Sequence, residues 1–142
     1  MDLVVDASIA FKWLVKEDDS DAALQLLGSN TVVAPDVLLA ECRNAILTTV
    51  RRGKLTVERA QQLERHFEAL QIETMPSRLF LPHAFAIALE ISHPIYDCIY
   101  LAAAIATDRM LVTADEKFAA KITAAVLGRD RIKLLKAFAS GA

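Results

Sequence analysis

Leu3-Val4-Val5-Asp6-Ala7-Ser8 begins with three consecutive apolar residues, which are followed directly by an acidic residue and, two positions later, by a serine. A short, uninterrupted apolar run is typical of a strand that is buried on both faces of a parallel sheet. Similar runs recur along the chain, from Thr31 to Ala34, Ile72 to Thr74, Met110 to Thr113 and Ile132 to Leu135. We therefore predict five buried strands, the first of them from Leu3 to Val5.

Helical patterns fill the intervals between these runs. Two apolar stripes have helical spacing, one made of Leu39, Cys42, Ile46 and Val50 and the other of Ala60, Leu63, Phe67 and Leu70. Pro82 can open a further helix that runs to about Ile91, and residues 96–107 are apolar on almost every side, as in a helix packed inside a domain. Helices that alternate with strands predict an α/β fold, layered around a mostly parallel sheet.

The composition is that of one domain without disulfide or zinc staples. The chain has 142 residues, of which 54% are apolar, so residues 1–142 can form a single domain with a sizeable core and some apolar surface for a partner. Cys42 and Cys98 form no metal-binding pattern, and we expect both to be reduced and buried. No apolar run approaches the roughly 20 residues that span a bilayer, and no signal peptide is evident, so we expect a cytoplasmic protein without a membrane segment.

The charge balance does not by itself point to nucleic acid. The 16 basic and 18 acidic residues give a net charge of −2, whereas most nucleic-acid-binding domains are basic. Basic residues are nevertheless bunched at two places, as Arg51, Arg52 and Lys54 and as Arg129, Arg131, Lys133 and Lys136. Either bunch could bind phosphate groups, or could be solvated charge in loops and at helix ends.

Two acidic residues follow predicted strands. Asp6 ends the first strand, and Asp115 comes shortly after the fourth, close to the hydroxyl of Thr113. Ligands of parallel α/β sheets bind beyond the carboxyl ends of the strands, which favours a role for both acids in a site. Each could instead be a helix cap or turn residue, as could Ser8, which is placed to cap a helix that starts at Ile9.

Two further acidic residues belong to predicted helices. Glu41 lies about 200° around its helix from Leu39, away from the apolar stripe, and shares its polar face with Asn44, so this face is either a site wall or plain surface. Asp97 is the only charged residue between Glu90 and Asp108, and a buried carboxylate there would need a partner. As an alternative, Asp97 could be the N-cap of its helix.

Other kinds of catalytic site find little support. A serine or cysteine nucleophile would need a histidine base, and of His66, His83 and His93 only His93 lies near a candidate site segment. No G-x-S-x-G elbow and no glycine-rich phosphate loop occurs in the sequence. What remains is a site made of oxygen ligands, which favours Mg²⁺ or Mn²⁺ over zinc.

The same residues resemble the PIN domains, in particular the VapC-type toxins of toxin–antitoxin pairs. Four motifs in family order carry the resemblance, namely Val5-Asp6-Ala7-Ser8, Ala40-Glu41-Cys42-Arg43-Asn44, Tyr96-Asp97-Cys98-Ile99-Tyr100-Leu101-Ala102 and Thr113-Ala114-Asp115. The resemblance implies a three-layer α/β/α sandwich whose acidic cluster binds Mg²⁺, or Mn²⁺ in its place, and hydrolyses single-stranded or looped RNA. It also implies a homodimer and a small antitoxin partner that offers a basic side chain to the carboxylates.

The family's site residues carry over by motif. By resemblance, Asp6 and Asp97 are the principal metal ligands, and Glu41 and Asp115 are the supporting carboxylates, with Glu116 as a possible substitute for Asp115. Ser8, Asn44 and Thr113 are the candidates for hydrogen-bonding support.

Two other functions stay open at this point. One is a non-catalytic module that uses the same fold to bind RNA or protein. The other is phosphoryl transfer through an aspartyl-phosphate on Asp6, although Ser8 stands where a haloacid-dehalogenase-like enzyme has its second aspartate.

Overall fold

The computed structural model describes residues 2–125 and 128–139. The strands of this part of the chain are β1 (Asp2–Val5), β2 (Thr31–Pro35), β3 (Glu73–Met75), β4 (Met110–Thr113) and β5 (Ile132–Leu134). The helices are α1 (Ala7–Leu14), α2 (Ser20–Ser29), α3 (Val37–Arg51), α4 (Val57–Leu70), α5 (Leu81–Ile91), α6 (Ile95–Ala106), α7 (Glu116–Ala125) and α8 (Leu135–Ala139). The strands form one sheet in the order β3-β2-β1-β4-β5, and all neighbours are parallel.

The five predicted strands are present, and only β4 has the predicted bounds. The first strand begins at Asp2 instead of Leu3, and the second ends at Pro35 instead of Ala34. The third begins at Glu73 instead of Ile72, because Gln71 adopts a left-handed conformation that ends α4 and delays pairing with β2. The fifth ends at Leu134 instead of Leu135, because Leu135 already begins α8. Apolar runs locate buried strands well, whereas their ends depend on the neighbouring turns.

The predicted starting point of α1 is wrong, and so is one residue, Leu39, of the apolar stripe predicted on α3. Helix α1 begins at Ala7, and its N-cap is Asp6, whose carboxylate accepts from the backbone N–H of Ile9; Ser8 is inside the helix. On α3 the buried face is made of Leu38, Cys42 and Ile46, whereas Leu39 is 36% exposed. Cys42 and Ile46 are buried as the stripe predicts, and the first buried position is Leu38 instead of Leu39.

The helices cover the sheet on both faces. Helices α1 to α4 pack against one another on one face, and α5, α6 and α7 form the layer on the other, with α6 against β1, β2 and β4. The middle of α6 is buried from Cys98 to Ala104, as its apolar sequence predicts. This confirms the α/β/α sandwich and the parallel sheet. None of the described helices is both long and apolar enough to cross a membrane.

Candidate active site

The edge of the sheet where β1 and β4 end is the natural place for a site. The two strands are parallel neighbours, with Val5 opposite Val112. From β1 the chain continues to β2 on one side, and from β4 it continues to β5 on the other. Such a reversal of strand order opens a crevice beyond the carboxyl ends of the two strands. Asp6 directly follows β1, and Thr113 is the last residue of β4.

Asp6 is a buried carboxylate, with 5% of its surface exposed. The Ser8 hydroxyl donates to Oδ1 and the Thr113 hydroxyl donates to Oδ2, each at 2.5 Å. The pKa of Asp6 is raised to about 6, mainly because the carboxylate is buried; the bonds from Ser8 and Thr113 oppose the shift, and the negative charge of Asp97 adds to it. Asp6 is therefore both the cap of α1 and a carboxylate whose charge is poorly compensated.

Ser8 and Thr113 connect Asp6 to the loop that follows β4. The backbone N–H of Ala114 donates to Ser8 Oγ at 3.0 Å, and the N–H of Asp115 donates to Thr113 Oγ1 at 3.0 Å. Both hydroxyls thus donate to Asp6 and accept from the backbone of β4's outgoing loop. The expectation that Ser8 and Thr113 support Asp6 agrees with these bonds, whereas the alternative of Ser8 as a helix cap does not.

Asp115 caps a helix. Its Oδ1 accepts from the backbone N–H of Phe118 at 3.0 Å, so it holds the first turn of α7. Glu116, the possible substitute, is exposed and pairs with Lys136 at 2.7 Å, and this ion pair lowers its pKa. The backbone N–H of Asp115 is linked to Asp6 through the Thr113 hydroxyl. Of Asp115 and Glu116, Asp115 is therefore the residue connected to Asp6.

Glu41 is half-buried and bonded, so of the two alternatives for its helix face, plain surface does not describe this position. Because the buried face of α3 runs through Leu38 and Cys42, Glu41 is half-buried and its Oε1 accepts from the Tyr100 hydroxyl at 2.5 Å. Burial raises the pKa of Glu41, the Tyr100 bond lowers it, and the charge of Asp97 raises it. Asn44 is exposed and makes no hydrogen bond to these acids in the described part of the chain.

Sequence reasoning missed Tyr100 as a site residue. It is almost fully buried, and the charges of Glu41, Asp6 and Asp97 add to burial in raising its pKa, so its hydroxyl stays protonated and donates. Its position three residues after Asp97 places both on one side of α6. The sequence did offer a signal for Tyr100, because its hydroxyl lies one turn after Asp97 on an otherwise apolar helix.

Asp97 lies within the first turn of α6, where Pro94 occupies the N-cap position, so the N-cap alternative is wrong. Its Oδ2 is 2.7 Å from Nε2 of His93. The charge of Asp97 acts on both Asp6 and Glu41, and these three acids therefore share one electrostatic environment. The fold thus brings the end of β1 close to α3 and α6, so that acids far apart in the sequence come together.

The donor chemistry of this cluster fits a hard divalent cation. In residues 2–125 and 128–139, no three His, Cys, Asp or Glu side chains are grouped closely enough to hold a metal ion. Each acid instead accepts from a protein donor, and a carboxylate has lone pairs to spare for a cation as well. Carboxylate oxygens and shared negative charge suit Mg²⁺ or Mn²⁺.

Comparisons with known proteins agree with this fold. A family model described as PIN domain matches residues 3–122. The chain is 31% identical over 131 residues to ribonuclease VapC3 of Pyrobaculum aerophilum. This alignment covers 89% of this chain and 98% of that protein.

Solved structures share the fold at lower sequence identity. PAE2754 from Pyrobaculum aerophilum has a TM-score of 0.69 at 18% identity, covering 99% of this chain and 88% of that one. VapBC2 from Rickettsia felis, bound to a DNA fragment from its promoter, has a TM-score of 0.63 at 18% identity, covering 94% of this chain and 98% of that one.

Proposed function

The chain belongs to the PIN domain family, and from that premise we propose that it is a Mg²⁺- or Mn²⁺-dependent endoribonuclease, the toxin of a type II toxin–antitoxin pair. The observation that carries the proposal is the buried Asp6 carboxylate, whose pKa is raised to about 6 mainly by burial, with a further contribution from the charge of Asp97. Crowding acids out of water costs folding free energy, and a bound cation removes much of that cost. Such a cluster is therefore typical of a cation-binding site.

The residues of this chain hold the acids in place. Ser8 and Thr113 fix both oxygens of Asp6, and Tyr100 fixes one oxygen of Glu41. A divalent cation bound by Asp6 and Asp97, with Glu41 and Asp115 in support, would polarise the phosphodiester and lower the pKa of a water molecule. The carboxylates would hold that cation, and one of them would accept the proton of the water molecule.

No cysteine competes for the role of nucleophile. Burial raises the pKa of the Cys42 thiol to about 12 and that of Cys98 to about 11. At neutral pH both are therefore protonated thiols, which are weak nucleophiles. This favours hydrolysis by water over a covalent intermediate on sulfur.

The basic residues near β5 support an RNA substrate. Lys136 pairs with Glu116, beside the Asp6 network, and Arg131 pairs with Asp108. Exposed pairs of this kind contribute about 0–1 kcal/mol, so an RNA phosphate can replace the acidic partner. Arg51 and Arg52 end α3 about 15 Å beyond Glu41, too far to contact the same phosphate.

RNA cleavage with defined metals tests the proposal. We expect the purified protein to cut single-stranded RNA and the loop of a hairpin, but not the duplex stem, with Mg²⁺ or Mn²⁺ and not with excess EDTA. Full activity in EDTA would contradict it. RNA binding without cleavage would support a binding module, and covalent phosphate on Asp6 would support the phosphotransferase.

A homodimer is supported by an apolar ridge on α5, which we define as Leu81, Phe85 and Leu89. They recur every four residues on one face, and Phe85 and Leu89 are 59% and 67% exposed. Contiguous apolar surface of this kind marks interfaces, and a two-fold axis would pair the ridge with itself. We propose that α5 forms the dimer contact.

Phe85→Glu is expected to convert the dimer to a monomer at micromolar concentration, because each interface would bury two new carboxylates. Light scattering measures the change. Val57→Glu is the matched control, since Val57 is equally exposed at 59% but lies on α4. A wild-type monomer, or a Phe85→Glu dimer, would exclude this interface.

The antitoxin is expected to use a different surface, a cleft of about 330 Å³ between α3 and α4. Its walls are mainly apolar and include Ile46, Leu47, Val50, Val57 and Ala60. An apolar cleft beside paired helices suits the apolar face of a partner segment. Glu41 lies on the same helix but faces away from the cleft, so a partner lying there would have to continue around α3 to offer a basic side chain to the acids.

A further inference from the structure

His93 connects two helices at the edge of the acidic cluster. It follows Ser92, whose left-handed backbone ends α5, and its own N–H donates to the Ala88 carbonyl at 3.1 Å. Its side chain is 13% exposed and lies against the Phe118 ring, with the ring centroids 5.0 Å apart. The imidazole is therefore held between α5, α6 and α7.

Both ring nitrogens of His93 have a partner. Nε2 is 2.7 Å from Oδ2 of Asp97, and Nδ1 is 3.1 Å from Nζ of Lys121, which also donates to the Ser92 carbonyl at 3.4 Å. A lysine ammonium has only hydrogens to donate, so Nδ1 must accept. The ring proton then lies on Nε2, which donates to Asp97.

We propose that His93, its tautomer fixed by Lys121, is a positioning residue that aims the Asp97 carboxylate into the acidic cluster. This inference rests on the proposed function and adds two residues to it. Asp97 is the acid whose charge acts on both Asp6 and Glu41, so its orientation affects the whole cluster. Partners that orient a ligand in this way change metal affinity by about 10–100-fold.

A plain structural role for His93 would be to join α5 and α6 to α7. Two variants separate the roles, because both lose the ring that lies against Phe118 but only one keeps the donor. In His93→Gln the amide nitrogen reaches approximately the position of Nε2, whereas in His93→Asn it stays near that of Nδ1. A positioning role predicts that Gln rescues the site and Asn does not.

Mn²⁺ affinity, measured by calorimetry, is the first readout. We expect His93→Asn to weaken Mn²⁺ binding by about 10–100-fold and His93→Gln to stay close to wild type, with similar melting temperatures for the two metal-free variants. His83→Asn, an exposed histidine on α5, is the matched control and should bind as wild type does. Equal affinities for His93→Asn and wild type, or equal losses in both His93 variants, would overturn the inference.

The tautomer of His93 in metal-free protein is the second readout. Nitrogen NMR is expected to show a protonated Nε2 and an unprotonated Nδ1 in wild type, a preference that weakens in Lys121→Met. Lys117→Met, on the same helix and exposed, should leave it unchanged. A proton on Nδ1 of the wild type would overturn the inference. Absence of Mn²⁺ binding by wild type would instead overturn the proposed function, and this inference with it.

Discussion

Asp6→Asn and Asp97→Asn are each expected to abolish RNA cleavage while leaving the fold intact. Each variant removes one negative charge, and with it one proposed ligand, from the group of acids that share one environment. Transition-state stabilisation by a catalytic metal amounts to several kcal/mol, so we expect a loss of at least about a hundredfold in kcat/KM. Cleavage of a labelled RNA at saturating Mn²⁺ measures it.

Both variants should fold, because the asparagine oxygen can still accept, although in Asp6→Asn the amide nitrogen cannot accept from the Thr113 hydroxyl as Oδ2 does. In Asp6→Asn the amide oxygen can still accept from the Ile9 N–H, and asparagine is as good an N-cap as aspartate. Circular dichroism should therefore match wild type. Asp21→Asn, at an exposed position in the first turn of α2, is the control and should keep full activity. Substantial cleavage by either site variant would remove that acid from the mechanism.

The free energy of unfolding of the metal-free protein is expected to fall as the pH rises, because Asp6 loses its proton. Its folded pKa of about 6 exceeds the ordinary value of 3.8, so the folded state holds the proton more tightly than the unfolded state. The stabilising contribution is complete below the unfolded value and is lost as the pH rises through about 6. The difference corresponds to roughly 3 kcal/mol at neutral pH.

Denaturant melts of wild type and Asp6→Asn between pH 4 and pH 7 isolate this contribution. The stability of wild type relative to the variant should fall over that range, and metal should restore it in wild type. A cation at about 100 times its dissociation constant adds about 2.7 kcal/mol, which shifts the melting temperature by several degrees. A stability difference that does not change with pH would contradict the buried, uncompensated state of Asp6.

Asp97→Asn gives the matching test at the other principal acid. Removing its charge lowers the electrostatic penalty on Asp6 and Glu41, so the metal-free variant should melt at or above wild type and respond little to Mn²⁺. Equal stabilisation of wild type and variant by metal would show that Asp97 is not a ligand. A much lower melting temperature without metal would instead assign Asp97 a structural role.

Local sequence patterns were enough to predict the five strands, the layered fold and the four acids of the candidate site. Short apolar runs are a local property, so β4 was predicted at its observed bounds and Asp6 at the end of β1. Asp97 was recognisable because burying a single charge in an apolar helix costs folding free energy unless the charge has a partner.

The hydrogen-bond partners of those acids, in contrast, depend on tertiary packing. Periodicity gives the repeat of α3 but not its rotation, and packing of Leu38 into the core turned Glu41 toward Tyr100, 59 residues away. Likewise Thr113 reaches Asp6 across 107 residues, and Lys121 meets His93 only because α7 packs beside α5. Contacts between residues so far apart in the chain depend on how layers pack, which local sequence patterns do not encode.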